Sequence, residues 1–156
     1  MTKEQLQTAI TEKLGDKMTL LDTGRHDLMY EVKRENLLEV CKTLKDDESL
    51  AFDYYLNSHG VDTKEKFEVV YNLASIIHKT RIDFKVILPY DSAEIESVQT
   101  IWPGANWFER EMWELYGINV LNHDNLTRFL LADDWDKGFP MRKDWDAPGF
   151  IRMPEL

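Results

Sequence analysis

The sequence predicts an α+β domain with a mixed or antiparallel sheet, followed by an extended C-terminal arm. Helical spacing of apolar residues and strand-like alternation occupy separate segments, and short turns join neighbouring strand segments, which favours helices packed beside a sheet. Residues 119–156 carry no such periodicity. The 156 residues match the length of one domain. The predicted division is therefore an α+β domain at residues 1–118 and an arm at residues 119–156.

The first half of the chain predicts two helices that flank a hairpin. Thr2 and Gln5 form a capping-box pattern. Apolar residues follow at helical spacing: Leu6, Ile10 and Leu14. Two apolar runs, at residues 18–22 and 28–32, surround a turn and are typical of a β-hairpin. A second helix is predicted at residues 34–44, with Cys41 on its apolar face.

The middle of the chain predicts three strands and two further helices. The strand segments alternate apolar with polar residues or are rich in aromatics: residues 51–56, 67–73 and 82–88. Residues 57–65 are predicted to form a polar loop. Residues 95–101 are predicted to form a short helix, which Pro103 and Gly104 separate from the next one. The predicted order is αββαβββαα, and then the arm.

The composition restricts the class of protein. Apolar residues make up 43% of the chain and charged residues 31%, which is ordinary for a soluble globular protein. The formal net charge of −10 repels phosphate backbones, so no nucleic-acid partner is expected. Residues 1–5 lack the apolar stretch of a signal peptide, and no segment is apolar for the length of a membrane span. The single cysteine excludes an internal disulfide or a cysteine-bound cluster within the chain and fits a reducing cytoplasm.

The stretch from Trp107 to Asp144 is the densest mixture of aromatic, charged and turn residues in the sequence. Phe108, Met112 and Leu115 recur on one face of a helix that Gly117 can end. All five tryptophans lie between residues 102 and 145. A long segment without periodicity is uncommon in a compact domain, and disordered segments are poor in aromatics. We therefore expect residues 119–156 to lie along a partner.

Several separate motifs follow one another here in a fixed order. They are Trp102-Pro103-Gly104-Ala105-Asn106-Trp107, Glu109-Arg110-Glu111, Glu114-Leu115-Tyr116-Gly117-Ile118, His123, Arg128-Phe129-Leu130, Asp134-Trp135 and Pro140-Met141-Arg142-Lys143-Asp144. With Phe67-Glu68-Val69-Val70-Tyr71 upstream, the pattern resembles the C subunit of proton-pumping NADH:quinone oxidoreductase, the 30-kDa subunit family of respiratory complex I. The resemblance covers residues 60–144. Thr127 and Ala132 depart from it, because the family usually has a basic residue and a proline there.

The resemblance implies a non-redox subunit in the hydrophilic, peripheral arm of that complex, on the cytoplasmic face of the inner membrane. It implies no cofactor in this chain, with NAD, FMN, iron–sulfur clusters and quinone held elsewhere in the complex. It also implies the D, B and I subunits as partners. The equivalent subunit of an energy-converting hydrogenase or of a formate hydrogenlyase remains an alternative. We expect these residues to contact partners: Glu109, Arg110, Glu111, Trp113, His123, Arg128, Trp135, Arg142 and Lys143.

The same residues could in principle carry chemistry of their own. Glu109, Glu111, Glu114 and His123 include types that bind metals, but the helical Glu-x-x-His pair of di-iron bundles is absent. The simpler expectation is an Arg110–Glu114 ion pair, with the remaining carboxylates bound to arginines on a partner or in the arm. Paired carboxylates acting as acid and base, or Cys41 acting as a nucleophile, would make a free-standing enzyme, and no further motif supports either. No glycine-rich nucleotide cradle is present.

The four histidines lie in different local settings. His26, His59 and His78 are expected in loops or on the surface. His123 is expected to make a structural hydrogen bond at a turn.

Overall fold

The computed structural model describes residues 1–24, 26–151 and 154. Three α-helices are present in this part of the chain: α1 (Lys3–Leu14), α2 (Leu37–Asp46) and α3 (Ala105–Tyr116). The strands are β1 (Met18–Leu21), β2 (Leu28–Val32), β3 (Tyr54–Asp62), β4 (Lys66–Ser75), β5 (Thr80–Pro89), β6 (Glu94–Glu96) and β7 (Asn119–Leu121). Short 3₁₀ turns at Gly15–Lys17 and Arg34–Asn36 lead into β1 and α2.

Five strands form one sheet in the order β1-β2-β5-β4-β3. The pairs β1–β2, β4–β5 and β3–β4 are antiparallel, and β2–β5 is parallel. The sheet is thus mixed, which confirms the predicted α+β class and the predicted hairpin. A second, parallel pair joins β6 to β7.

The core lies between one face of the large sheet and the helices. Along β4 every second side chain is buried, and β5 repeats the pattern in register, so that Tyr71 stacks on Phe84 with ring centroids 4.7 Å apart. From the helices, Leu6, Ile10 and Leu44 enter the same buried cluster. Strand alternation and helical spacing therefore converge on one hydrophobic core, as the sequence predicts.

The N-terminal half follows the sequence closely. The Thr2 hydroxyl accepts the Gln5 N–H, and the Gln5 side chain accepts the Thr2 N–H, so the predicted capping box is confirmed. Cys41 is fully buried on the inner face of α2, and burial raises the pKa of its thiol.

No helix in the described part of the chain is long and apolar enough to cross a membrane.

The predicted polar loop at residues 57–65 is wrong, because β3 continues through it as far as Asp62. Its inward residues are small or polar, so they do not produce an apolar alternation: Ser58, Gly60 and Asp62. Gly60 lies under α3, where an added Cβ would be 3.0 Å from Tyr116 Cδ2. Close packing of the helix against β3 thus explains both the strand and its weak sequence signal.

The predicted helix at residues 95–101 is also wrong. Residues 94–96 form β6, which pairs with β7, and the chain then turns towards α3. Because β7 begins at Asn119, regular structure extends three residues into the segment that the sequence predicts as the arm. Strand pairing between two segments 25 residues apart is a tertiary event that local periodicity does not report.

Candidate partner interface

Helix α3 organises the region that the motifs identified. Gly117 ends the helix in the left-handed conformation, with φ of 72°, and its N–H donates to the Trp113 carbonyl. Three charged residues on this helix are buried: Glu109, Arg110 and Glu114. Buried charges require compensating partners, and each of the three has them within the chain.

Glu109 connects α3 to the chain that follows β6. Its carboxylate accepts the Ser97 hydroxyl at 2.6 Å and the Val98 N–H at 2.7 Å. Burial raises the pKa of Glu109, and these two hydrogen bonds partly offset that rise. The carboxylate therefore satisfies a turn of the domain itself.

His123 lies directly beyond β7, with a fully buried side chain. Its Nδ1 accepts the Asn125 N–H at 3.1 Å, so in the neutral ring the proton is on Nε2. Nε2 donates to the Asn106 carbonyl at 3.3 Å and is 3.8 Å from Glu109 Oε2. The expected structural hydrogen bond of His123 at a turn is confirmed.

This group does not have the geometry of a nucleophilic site. The Ser97 hydroxyl donates to Glu109 and not to the imidazole, and the Nδ1 lone pair of His123 is occupied by a backbone N–H. Among the described residues, no group of three His, Cys, Asp or Glu side chains is arranged to hold a metal ion. The one cysteine, buried in the core, cannot supply the thiolates that iron–sulfur clusters require.

Arg110 binds the backbone carbonyls of the segment that follows β7. Its Nε donates to the Thr127 carbonyl at 2.8 Å and its Nη2 to the Arg128 carbonyl at 3.4 Å. The guanidinium also lies over the rings of Trp107 and Phe129, at 4.5 and 5.0 Å from their centroids. Arg110 thus fixes both the backbone and an aromatic side chain of this segment.

Glu114 binds the backbone N–H groups of the same segment. Its Oε1 accepts the N–H groups of Phe129 and Leu130 at 3.3 and 3.0 Å, and its Oε2 accepts that of Leu131 at 3.0 Å. Hydrogen bonds to a charged acceptor are stronger than neutral ones. Arg110 and Glu114, which we call the α3 clamp, therefore hold residues 127–131 together. The predicted ion pair between Arg110 and Glu114 is wrong, because the described chain contains no such pair. Both side chains bind the backbone of residues 127–131 instead.

A second attachment joins residues 139–144 to the end of α3 and to the sheet. Arg142 Nε donates to the Tyr116 carbonyl at 2.6 Å, and its guanidinium lies 4.7 Å from the Phe139 ring centroid. The Lys143 N–H donates to Asp62 at 2.8 Å. We call this set of contacts the Asp62–Arg142 attachment.

Asp62 and Tyr90 give this attachment its electrostatic character. Burial acts to raise the pKa of Asp62, but the N–H groups of Lys143 and Lys64 and the Tyr90 hydroxyl outweigh it, so the pKa lies below its usual value. Burial and the adjacent Asp62 carboxylate raise the pKa of Tyr90 to about 12. Asp62 therefore remains ionised, and Tyr90 remains a hydrogen-bond donor, at physiological pH.

The last aromatic residues of the described chain pack on one another. The rings of Trp135 and Trp145 stack with centroids 6.2 Å apart, and Phe150 meets Trp145 edge-on at 5.0 Å. Both indole N–H groups donate to backbone carbonyls nearby, those of Gly138 and Lys137. Their polar requirement is met locally, which leaves ring surface for another contact.

The predicted partner residues divide into three groups. Glu109, Arg110 and His123 are buried, and their polar groups are bound within the chain. Trp113 is half-buried and packs against the core. The remaining residues are half-buried or exposed: Glu111, Arg128, Trp135, Arg142 and Lys143. Contact of these nine residues with a partner stays a prediction, and the third group has the most surface available for it.

The predicted partner residues do not include the apolar side chains that the attached segment exposes, although several of these side chains stand within the motifs. The large side chains exposed on it and on the adjacent face of α3 are Trp107, Phe129, Leu130, Phe139, Met141, Phe150 and Ile151. They lie close in sequence to the residues that bind inward, such as Arg110, Glu114 and Arg142. The signal available in the sequence is a set of apolar side chains in an irregular segment. It indicates exposed surface once the α3 clamp shows that the backbone of this segment is bound inward.

Comparison with known proteins identifies the family. Residues 30–150 match the family model described as the 30-kDa subunit of respiratory-chain NADH dehydrogenase. The chain belongs to this family. The match includes the strands β3, β4 and β5, α3 and both attachments of the C-terminal segment.

Curated relatives cover nearly the whole chain. The C subunit of the NADH-quinone oxidoreductase of Citrifermentans bemidjiense is 41% identical over 148 residues, which are 93% of this chain and 90% of that protein. The corresponding protein of Geobacter metallireducens, with the same name, is 37% identical over 149 residues, with the same two coverages.

Two solved structures share the fold. The trypsin-resistant fragment (1–134) of Nqo5 superposes with a TM-score of 0.68 and 25% identity, over 78% of this chain and 99% of that fragment. A chain of the membrane-bound sulfane sulfur reductase, an archaeal respiratory membrane complex, superposes with a TM-score of 0.79 and 24% identity, over 92% of this chain and 85% of that one.

Proposed function

We propose that this chain is the C subunit of a proton-translocating NADH:quinone oxidoreductase and supports that complex structurally. The observation that carries the proposal is the match, over nearly the full length, to relatives that bear this name. Its role is to hold neighbouring redox subunits in register while electrons pass from NADH through FMN and iron–sulfur clusters to quinone. We assign the clusters to other subunits, and the single cysteine supports this assignment, because iron–sulfur clusters are held by several thiolates.

The attached C-terminal segment is the proposed docking surface. Its backbone polar groups are bound by the α3 clamp and by the Asp62–Arg142 attachment, while large apolar side chains are left exposed. Contiguous exposed apolar surface marks a protein interface. A segment that is already held in place loses less conformational entropy on binding. The D, B and I subunits, on the cytoplasmic face of the membrane, are the proposed neighbours.

A second candidate is the equivalent subunit of a hydrogenase-type or related membrane complex. The fold shared with a chain of the membrane-bound sulfane sulfur reductase supports this second candidate, because the same fold occurs in a respiratory membrane complex with a different name. The two candidates predict different companions for the same chain.

Purification of the native complex tests both. A tagged copy of the full chain, expressed in its host and extracted in mild detergent, should co-purify with NADH- and quinone-reactive subunits and with NADH:quinone activity. Companions that carry hydrogenase or formate dehydrogenase activity instead would establish the second candidate. Recovery of the chain alone under conditions that preserve the membrane complexes would contradict both.

A further inference from the structure

The turn between β4 and β5, residues 76–79, exposes two large apolar side chains. Ile76 is 63% exposed and Ile77 is 74% exposed. Single exposed apolar residues are common on protein surfaces, but an adjacent pair at a hairpin tip costs solubility and needs a reason.

The backbone of this turn is fixed by contacts with the domain. The Ile76 N–H donates to the Asp53 carboxylate at 3.1 Å, and the His78 N–H donates to the Ser75 hydroxyl at 3.2 Å. His78 Nε2 donates to the Glu48 carbonyl at 2.9 Å. Lys79 closes the turn with φ of 54°, in the left-handed region. The two isoleucines are therefore presented on a held scaffold and not on a loose loop.

One side of the turn is basic, although the chain is acidic, whereas the Asp53 carboxylate and the Glu48 carbonyl contact the turn from its other side. A groove of about 290 Å³ runs beside it, and its charged lining residues in the described chain are Lys3, Lys79 and Arg81 against one acid, Asp27. The formal net charge of the whole protein is −10. The excess of cations in this groove favours a negatively charged neighbour on that side of the turn.

The turn is far from the C-terminal segment. It follows the last residue of β4, whereas the Asp62–Arg142 attachment meets the first residues of that strand, at Phe67. Ten residues of strand separate the two ends, which corresponds to about 30 Å at the usual rise of a β-strand. A contact made by the turn is therefore separate from the docking surface proposed above.

From these observations we infer that the β4–β5 turn is a second docking point, which inserts Ile76 and Ile77 into an apolar pocket bordered by carboxylates on a neighbouring protein. Apolar residues at the centre and charges at the rim are the usual arrangement of an interface. With the C-terminal segment at one end of the β4–β5 hairpin and this turn at the other, the domain would bridge two neighbours. The inference rests on the proposed function in that it needs a multi-subunit assembly.

Cysteine labelling of the assembled complex tests the inference directly. Because Cys41 is fully buried, Ile77→Cys introduces a single accessible thiol into this chain, and the labelled chain is read by its mass. Labelling by a maleimide should slow by at least about tenfold on going from the free chain to the complex, since interface cores exclude solvent. Leu38→Cys, at an exposed position on α2, is the matched control and should label at the same rate in both states.

Charge reversal tests whether the partner surface carries carboxylates. The double variant Lys79→Glu/Arg81→Glu, combined with Ile77→Cys, should restore labelling in the complex, because carboxylates would then face carboxylates. Equal labelling of Ile77→Cys in the free and assembled chain, with co-purification intact, would overturn this inference and leave the proposed function standing. Loss of all co-purifying subunits from the unaltered chain would instead overturn the proposed function. Protection by vesicles of anionic lipid, with none in the detergent-solubilised complex, would assign the turn to a membrane surface and overturn a protein partner.

Discussion

At the scale of single residues, Glu109 and Glu114 lie on the same helix and are both buried, yet their partners differ. Glu109 receives a hydroxyl and one backbone N–H from the domain. Glu114 receives three consecutive N–H groups from the C-terminal segment. The first carboxylate therefore belongs to the folding of the domain, and the second to the attachment of the segment.

Glu109 predicts a specific pH dependence. Because burial raises its pKa in the folded state, its contribution to stability is greatest below the unfolded pKa and is lost as the pH rises through the folded pKa. Glu109→Gln keeps the shape and removes the titration. The free energy of unfolding of wild type relative to the variant should therefore fall as the pH rises above the ordinary carboxyl pKa of about 4.3, as measured by denaturant unfolding in a pH series. A difference that stays constant as the pH rises would show that Glu109 does not titrate differently in the two states.

Glu114 predicts a local effect on three amides. Glu114→Gln replaces one acceptor oxygen by a donor, which leaves at least one N–H of residues 129–131 without a partner and costs about 1–3 kcal/mol in attachment. Hydrogen exchange at these amides, and trypsin cleavage at Arg128, should accelerate. Glu111→Gln, on the same helix and outside the clamp, is the control and should leave both rates unchanged. Unchanged exchange in Glu114→Gln would contradict the clamp.

At the scale of elements, the end of α3 is the point where helix and C-terminal segment meet most closely. Gly117 must adopt a positive φ, and Phe139 and Arg142 pack where a side chain would otherwise lie. The Tyr116 carbonyl, left free by the end of the helix, accepts Arg142. The helix terminus thus provides both the space and the acceptor for the Asp62–Arg142 attachment.

Gly117→Ala should therefore detach residues 139–144. An added Cβ would lie 2.5 Å from Phe139 Cε2 and 2.8 Å from Arg142 Nη2, and the positive φ adds backbone strain. We expect a loss of about 1–3 kcal/mol and faster trypsin cleavage at Arg142 and Lys143. Gly104→Ala, with open space around the new methyl group and φ of −63°, is the matched control and should change stability by less than about 0.5 kcal/mol. Equal behaviour of the two variants would contradict close packing at Gly117.

At the scale of the whole molecule, the C-terminal segment is divided between the domain and the proposed partner. Strand β7 and His123 complete the structure around α3, and only the residues beyond them belong to the proposed docking surface. We therefore propose that the folded domain continues past the predicted boundary at residue 118, as far as Leu126.

Two truncations test where the domain ends. A chain ending at Gly117 loses β7 and the His123 contacts, so it should unfold at lower denaturant concentration or aggregate. A chain ending at Leu126 keeps them and should fold, yet fail to enter the complex. Circular dichroism and denaturant unfolding measure the first property, and co-purification measures the second. Equal stability of the two chains would place the boundary at residue 118 after all.

The sequence by itself determined the family, the mixed α+β class, the capping box of α1 and the buried face of α2, because these depend on local periodicity and on ordered motifs. Tertiary structure decided which charged residues turn inward. Helical spacing places Arg110 and Glu114 on a helix, but only the return of residues 127–131 over that helix supplies the backbone groups that make their burial favourable. It also decided that residues 57–62 and 94–96 are strands, since close packing of Gly60 against α3 and pairing of β6 with β7 outweigh weak local preference. The sequence pattern therefore indicates which side chains a segment can bury, and the tertiary structure determines which other residues cover them.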